Sequence, residues 1–262
     1  MVLKMNKVSL ILTTYNCKNN LEKTLESIES QDYGDIEVVI KDGNSIDGTQ
    51  EVIKSYAQRS KFKVIWTSKS DSGIYDAMNY GYTMSKGDIV VFFNDKFTCK
   101  NAVTKLVHAM EQMNTETNKI YDGVHSDLIY VDNDRTVRYW KMGQGRIKYG
   151  WMPAHPTLCL RRAVYEKYGL YDSSYKCSAD YEFIVRILSD NTVKLAYVPE
   201  VLVSMYYGGT SSNGFKNYWI SLKEAHLALK RNNVKNSWII DLRRTVKVFW
   251  QFLLAKRIKG KI

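Results

Sequence analysis

The feature that most limits the fold is a regular alternation of apolar runs and amphipathic segments over the first 113 residues. The predicted strands are residues 8–13, 36–40, 63–67 and 89–93, and the predicted helices are 19–31, 49–57, 75–84 and 101–113. Continuous apolar runs are typical of strands that are buried on both faces. A β-α-β-α order predicts a mostly parallel, twisted sheet that is flanked by helices.

The pattern changes after residue 114. The later predicted elements are strands at 123–130, 136–140 and 193–198, and helices at 179–188, 216–231 and 238–258. The two strands around a polar turn predict an antiparallel portion of the sheet. A chain of 262 residues fits one large α/β domain. We divide it into an alternating half (1–114), a second half of the same domain (115–205) and a helical extension (206–262).

Polar or glycine-containing loops follow each of the first four predicted strands. Their candidate binding residues are Thr13, Tyr15, Asp42, Asp71, Gly73, Asn94 and Asp95, and Gly43 permits a tight turn. The carboxyl ends of parallel strands lie at one edge of a sheet, where open α/β sheets bind ligands. A single loop of this kind is equally explained as a turn with a helix cap. Four such loops at one edge predict a binding site.

These stretches resemble the family 2 glycosyltransferases. The sequences that carry the resemblance are TTYN (13–16), VVIKDGNSIDGT (38–49), DSGIYDAMN (71–79) and GDIVVFFND (87–95). The resemblance covers roughly residues 7–200. It implies a GT-A fold and a nucleotide-diphosphate-sugar donor, with UDP as the expected nucleotide. It also implies that the donor is bound by Thr13, Tyr15, Asp42, Asp71, Gly73, Asn94 and Asp95.

The fourth loop departs from the family pattern. Relatives of this subgroup usually have the sequence N-S-D-D, whereas this chain has Asn94, Asp95, Lys96 and Phe97. By resemblance, Asp95 falls in the metal-binding D-x-D region, which implies Mn²⁺ or Mg²⁺. One carboxylate is chemically sufficient, because Mg²⁺ usually keeps several water ligands. Two alternatives are that Lys96 takes over part of the charge neutralisation, or that the protein binds nucleotide sugars without turnover.

A second segment, SADYEFIVR (178–186), resembles the family's E/A-D-Y-D-x-x-x-R sequence. The aspartate of that sequence is the catalytic base of inverting members, and the matching residue is Asp180. A sugar hydroxyl is a poor nucleophile at neutral pH and needs such a base. The alternative is that Asp180 only caps a helix. Glu182 is a second candidate for the base and for acceptor binding, and Arg186 is expected to pair with a carboxylate.

The expected acceptor site includes His155 and Arg161. His155 lies between two prolines in an irregular segment, and by resemblance this place adjoins the acceptor. It would bind an acceptor phosphate or a metal, or instead bond a backbone carbonyl as a structural histidine. Arg161 would contact phosphate, or instead cap a strand or face solvent.

The net charge of +11 favours polyanionic partners. Residues 235–262 contain eight Lys or Arg and one acid, beside an apolar stripe that suits a helix on an anionic membrane. The alternative is a helix packed on the catalytic domain. Together with the resemblance, this predicts transfer of a hexose from UDP-glucose or another UDP-hexose to a lipid-diphosphate-linked sugar in O-antigen or other surface polysaccharide synthesis.

The expected location is the cytoplasm, peripheral on the inner membrane. The sequence has no signal-peptide pattern and no apolar run long enough to span a bilayer. Its four widely spaced cysteines predict reduced thiols. A basic nucleic-acid-binding protein is an alternative of another class. We do not expect it, because the basic residues form no recognised reader motif and the acidic edge would repel a polyanion.

Overall fold

The computed structural model describes residues 5–132, 135–189, 191–207 and 215–257. The strands are β1 (Val8–Thr14), β2 (Ile36–Asp42), β3 (Lys63–Ser68), β4 (Ile89–Phe92), β5 (Lys96–Phe97), β6 (Met113–Asn114), β7 (Lys119–Ile120), β8 (Gly123–Asp132), β9 (Arg135–Trp140), β10 (Cys159–Arg161) and β11 (Leu195–Tyr206). The α-helices are α1 (Lys18–Glu29), α2 (Thr49–Arg59), α3 (Ile74–Met84), α4 (Ala102–Glu111), α5 (Arg162–Tyr168), α6 (Ala179–Leu188), α7 (Phe215–Arg231) and α8 (Ser237–Arg257). Two short 3-10 helices span Ile147–Tyr149 and His155–Thr157.

The first four long strands form the predicted parallel sheet, in the order β3-β2-β1-β4. Thr14 is the register partner of Asp42, and Asp42 is the register partner of Ser68. Three strands therefore end at the same level, and the loops that follow them begin side by side. This alignment places the polar loops at one edge of the sheet, which we call the carboxyl edge.

The sheet continues beyond β4 with strands of mixed direction. β10 runs antiparallel to β4 and to β8, and β9 runs antiparallel to β8. β11 runs parallel to β8, and the short β5 returns antiparallel to β11. This is the predicted antiparallel portion, although its longest pairing, between β8 and β11, is parallel. The sequence did not predict β5, β6, β7, β10 or α5.

Two hydrophobic cores cover the two faces of the sheet. Leu10 and Leu12 of β1 pack in the core that contains residues of α1, α2 and α4, whereas Ile11 packs in the core beside α3, α5 and α6. All three side chains are buried, as expected for a strand that is covered on both faces. The mixed α/β fold is confirmed.

The C-terminal helices pack against this framework. Ala228 and Leu229 of α7 and Ile240 of α8 belong to the core beside α6, and α8 also lies against β9. The predicted extension therefore shares a core with the second half of the domain. Within the described part of the chain, no helix combines the length and hydrophobicity that crossing a bilayer requires.

Candidate active site

The loop after β1 is bonded directly to the loop after β4. The side-chain oxygen of Asn94 accepts a hydrogen bond from the backbone N–H of Thr13 at 2.9 Å. In return, the amide group of Asn94 donates to Thr13 Oγ1 at 2.9 Å. Two of the predicted donor-binding residues are thus brought together at the carboxyl edge.

Three loops meet around Gly43. A Cβ atom at this position would lie 3.1 Å from the ring of Tyr15 and 3.2 Å from a carboxylate oxygen of Asp71, so glycine keeps these neighbours close. Asp71 also forms an ion pair of 2.9 Å with the ammonium group of Lys41, whose side chain is only 2% exposed. The ring of Tyr15 is 68% exposed. Tyr15 therefore offers a free aromatic face beside a fixed carboxylate.

Asp42 is placed differently from the sequence prediction. Its side chain is fully buried, and it accepts hydrogen bonds from the hydroxyl groups of Thr14, Ser45 and Ser68 and from the backbone N–H of Ser45. Burial alone would raise the pKa of Asp42, but these hydrogen bonds outweigh it and lower the pKa. Asp42 thus organises the loops internally, and a contact with a nucleotide would require it to release one of these bonds.

Asp95 is a buried carboxylate that no donor in the described chain contacts. It is 7% exposed, and burial raises its pKa to about 7. An unpaired carboxylate in such a place is stabilised by a cation, so Asp95 fits a metal as a single protein ligand. No group of three or more His, Cys, Asp or Glu residues suitable for a metal occurs among the residues that the structure describes. The neighbouring Lys96 is exposed and pairs in β5 with β11.

Asp180 lies in the first turn of α6. The hydroxyl group of Tyr75 donates a hydrogen bond to Asp180 Oδ1 at 3.0 Å. Tyr75 belongs to α3 and follows Gly73, which precedes that helix. The structure therefore connects the predicted base directly to the predicted donor-binding stretch 71–79.

His155 lies at the carboxyl end of β4, on the same side as Asp180. Its ring packs on Phe92, with 6.1 Å between ring centroids. Its Nε2 atom is 2.7 Å from the hydroxyl oxygen of Tyr171, so its partner is a tyrosine and not the backbone carbonyl considered above. Burial lowers the pKa of His155, and the nearby charge of Asp180 opposes that change.

Tyr130 of β8 lies within electrostatic range of both candidate carboxylates. Burial raises the pKa of Tyr130, Arg138 opposes this rise, and the charges of Asp95 and Asp180 add to it. Both carboxylates therefore lie close enough to act on one hydroxyl group.

The structure does not bring Arg161 to this site, which corrects the prediction that it binds the acceptor. Arg161 pairs with Ile89, the first residue of β4, and its Nε donates to the carbonyl of Tyr121 at 2.9 Å. The amino end of β4 lies roughly 10 Å from Phe92, at 3.3 Å per strand residue. Arg161 is therefore at the opposite edge of the sheet.

Glu182 also points away from the site. It is bonded to Arg186 at 2.8 Å and accepts a hydrogen bond at 3.1 Å from Asn232, the residue that follows α7. Residues two apart on a helix point in very different directions, so Asp180 and Glu182 cannot share one cleft. The predicted roles of Glu182 in acceptor binding and as a second base are corrected to a structural one, and the expected carboxylate partner of Arg186 is confirmed.

Sequence reasoning missed Lys41, Tyr75, Tyr130 and Tyr171. Two of them lie inside the stretches that carried the resemblance, Lys41 next to Asp42 and Tyr75 two residues after Gly73. Their places within these stretches could have identified them as candidate site residues. Tyr130 and Tyr171 had no such signal, because only tertiary packing brings them to the site.

The comparisons with known proteins agree with this geometry. The model of Glycosyl transferase family 2 matches residues 9–169, which is more than half of the chain, and the chain belongs to this family. A "PGL/p-HBAD biosynthesis glycosyltransferase" of Mycobacterium bovis is 28% identical over 212 residues, covering 78% of each chain. The Escherichia coli "UDP-Glc:alpha-D-GlcNAc-diphosphoundecaprenol beta-1,3-glucosyltransferase WfaP" is 28% identical over 221 residues, covering 81% of this chain and 82% of the relative.

Solved structures show the same fold. TarS of S. aureus, in complex with UDP-GlcNAc, has a TM-score of 0.70 at 17% identity and covers 98% of this chain and 76% of its own. The mannosyltransferase PcManGT of Pyrobaculum calidifontis, in complex with GDP-Man and Mn²⁺, has a TM-score of 0.66 at 16% identity, with 98% of this chain and 76% of its own covered. The protein is a glycosyltransferase with the GT-A fold.

Proposed function

We propose that the protein transfers a hexose from UDP-glucose or another UDP-hexose to a hydroxyl group of a lipid-diphosphate-linked sugar, with inversion at the anomeric carbon. The reaction would serve O-antigen or related surface polysaccharide synthesis. The observation that carries the proposal is the carboxylate of Asp180, bonded to Tyr75 of the helix that follows the Asp71 loop, which meets Tyr15 around Gly43. The enzyme would work at the cytoplasmic face of the inner membrane as a peripheral protein.

The relatives support the choice of substrates. The name of the E. coli relative states a UDP-Glc donor and a diphosphoundecaprenol-linked acceptor. The S. aureus structure contains UDP-GlcNAc in the same fold. A UDP-sugar and a lipid-diphosphate acceptor are therefore the first pair to test, and the GDP-Man complex of the archaeal structure makes GDP-sugars the comparison.

The proposed mechanism is a single displacement. The exposed ring of Tyr15 stacks on the base, and the loops around Gly43 and Asp71 fix the rest of the donor. Asp180, oriented by Tyr75, accepts the proton of the acceptor hydroxyl as its oxygen attacks the anomeric carbon. The bond from that carbon to the nucleoside diphosphate breaks as the new bond forms. No covalent sugar–enzyme intermediate is required.

Asp95 would hold Mn²⁺ or Mg²⁺. When bound, the cation would stabilise the negative charge that develops on the leaving diphosphate. The buried, unpaired state of the Asp95 carboxylate supports this assignment. Lys96, exposed beside it, would add positive charge near the same phosphates.

The deciding experiment combines Asp180→Asn with transfer and binding assays. We expect kcat for transfer from a UDP-hexose to fall at least 100-fold, because general-base catalysis contributes about 10² to 10⁴. UDP affinity should remain within about threefold, since asparagine keeps the hydrogen bond from Tyr75. The measurements are a radiolabelled transfer assay and calorimetric titration with UDP.

The matched control is Asp172→Asn, which alters an acid near α6 that is paired with Arg231. It should retain transfer activity. An unchanged kcat for Asp180→Asn would refute the assigned base. UDP binding by the wild-type protein without transfer to any lipid-diphosphate sugar would favour the impaired, nucleotide-binding alternative.

A further inference from the structure

Helix α8 presents a continuous apolar stripe to solvent. Seven large apolar side chains on this helix are between 36% and 66% exposed, and all of them except Val248 lie on one side of it. The stripe consists of Trp238, Leu242, Val246, Phe249, Trp250 and Leu253. At 3.6 residues per turn, these positions fall within an arc of about 120° of the helix surface. A helix of a globular protein normally turns such an arc toward the core, but here no described residue covers it.

The opposite face of α8 is fixed to the protein. Ile240, Gln251 and Ala255 are buried, at positions about 180° away from the stripe at 3.6 residues per turn. The guanidinium carbon of Arg244 lies 3.8 Å from the ring centroid of Tyr181. The stripe therefore points directly away from the domain and cannot close onto it without detaching the helix.

Basic residues border the stripe. Arg243 and Lys247 follow it on one edge, where they donate to the backbone carbonyls of Lys148 and Tyr149. Lys256 lies at the other edge, and Lys148, Arg243, Lys247 and Lys256 are all exposed. The exposed ring of Tyr149 extends the same surface. Both the apolar stripe and its basic borders are thus open to a partner.

The one acidic residue of α8 lies away from the apolar stripe. The only acid of α8 is Asp241, and it is bonded to His226 at 2.7 Å and to Arg244 at 3.5 Å, on the packed side of the helix. An apolar, tryptophan-containing arc with cationic borders is the composition of helices that lie in the interface of anionic bilayers. A neutral partner would not require this charge arrangement.

We propose that the stripe of α8 binds the surface of an anionic membrane, with the helix lying parallel to that surface. Trp238, Phe249 and Trp250 would enter the boundary between headgroups and acyl chains. Arg243, Lys247 and Lys256 would contact lipid phosphates. The sequence left two alternatives, a helix on a membrane and a helix packed on the catalytic domain. One face of α8 packs on the domain, and the exposed stripe on its other face supports the membrane contact.

The same geometry sets the height of the active site above the membrane. Arg244 contacts Tyr181, which directly follows Asp180. A helix is about 10 Å in diameter, so the start of α6 lies one helix above the bilayer. Asp180 would then lie roughly 10 to 20 Å from the surface. This part of the inference rests on the proposed function, since that height suits an acceptor whose diphosphate stays among the headgroups.

The test is sedimentation of the full chain with vesicles. Wild-type protein should bind vesicles of phosphatidylglycerol and phosphatidylethanolamine, and bind phosphatidylcholine vesicles at least tenfold more weakly. The double variant Phe249→Glu/Trp250→Glu should weaken binding at least tenfold. The double variant Arg243→Gln/Lys256→Gln should reduce the salt dependence of binding. The matched control is Met113→Glu/Ile120→Glu, which changes two other exposed apolar residues by the same charge and should bind as wild type.

Activity separates this inference from the proposed function. Phe249→Glu/Trp250→Glu should retain transfer to a water-soluble, short-chain acceptor and lose it with a vesicle-embedded one. Unchanged vesicle binding by that variant would overturn the inference. The inference would also be overturned if the wild-type protein did not bind vesicles and instead formed a dimer in solution that this variant dissociates. If the protein binds vesicles through the stripe but transfers sugar to no acceptor, the membrane-binding inference is supported and the proposed reaction is refuted.

Discussion

At the start of α6, the carboxylate of Asp180 accepts a hydrogen bond from Tyr75 on a different helix. The two residues are far apart in the sequence, and each belongs to a stretch that resembles the family. Tyr75 is nearly buried, and burial followed by the charge of Asp180 raises the pKa of its hydroxyl group. The tyrosine therefore stays protonated and remains a donor. We propose that Tyr75 orients the proposed base and is therefore a positioning residue.

Tyr75→Phe tests this role. A hydrogen bond to a charged group contributes about 1.5 to 3 kcal/mol, and 1.4 kcal/mol corresponds to about tenfold in rate. We expect kcat to fall about tenfold or more, with the affinity for UDP unchanged. Steady-state kinetics with titration of UDP will separate the two quantities. Tyr80→Phe, on the exposed side of the same helix, is the control, and an equal loss of kcat in both variants would contradict the assignment.

At the scale of single elements, β10 and α6 decide which candidate residues meet. β10 runs antiparallel to β4, so it takes the chain from His155, near the carboxyl edge, to Arg161 at the opposite edge. Six positions of sequence therefore separate a site residue from a structural one. On α6, Asp180 faces Tyr75, whereas Glu182 faces Arg186 and Asn232. The sequence could not separate His155 from Arg161, because a three-residue strand leaves no clear pattern. It could not separate Asp180 from Glu182, because the rotation of a helix about its axis depends on packing.

We expect Glu182→Ala to lower the free energy of unfolding and to leave the transfer rate unchanged. It leaves the partly buried Arg186 without its carboxylate, and breaking such a pair costs about 3 kcal/mol. Urea unfolding should show this loss, while kcat per folded molecule stays close to the wild-type value. Glu116→Ala removes the carboxylate of an ion pair whose Glu116 side chain is 72% exposed, and it should cost less than about 1 kcal/mol. A large fall in kcat for Glu182→Ala would restore Glu182 as a candidate site residue.

At the scale of the whole molecule, one sheet carries both halves of the proposed site. The donor loops follow β1, β2, β3 and β4, whereas Tyr130 comes from β8 and Asp180 from the helix that precedes β11. The sheet order places β10 between β4 and β8. The proposed donor loops and the strand that carries Tyr130 are therefore separated by one short strand. Ligand binding at this junction should stabilise the domain as a unit.

Thermal unfolding measures that coupling. A nucleotide at 100 times its Kd stabilises the folded state by about 2.7 kcal/mol, which corresponds to a rise in Tm of about 5 to 10 °C for a domain of this size. We expect this rise for UDP and UDP-hexoses, increased by Mn²⁺, and smaller rises for GDP and CMP sugars. Asp95→Asn should remove the Mn²⁺ increment and keep most of the UDP effect. No rise with any nucleotide would argue against a donor site, and an increment that survives Asp95→Asn would argue against the metal ligand.

The sequence by itself determined the parallel half of the sheet and the edge at which we propose that ligands bind. Apolar runs and helical periodicity are local properties, and their order fixes the direction of the strands. It also located Asp71, Asn94, Asp95, His155 and Asp180 by resemblance. Only the tertiary structure decided that Asp42 is enclosed by hydroxyl groups, that Arg161 lies at the far edge, and that the stripe of α8 faces solvent. Burial and side-chain direction depend on which surfaces pack together, and a linear pattern does not contain that information.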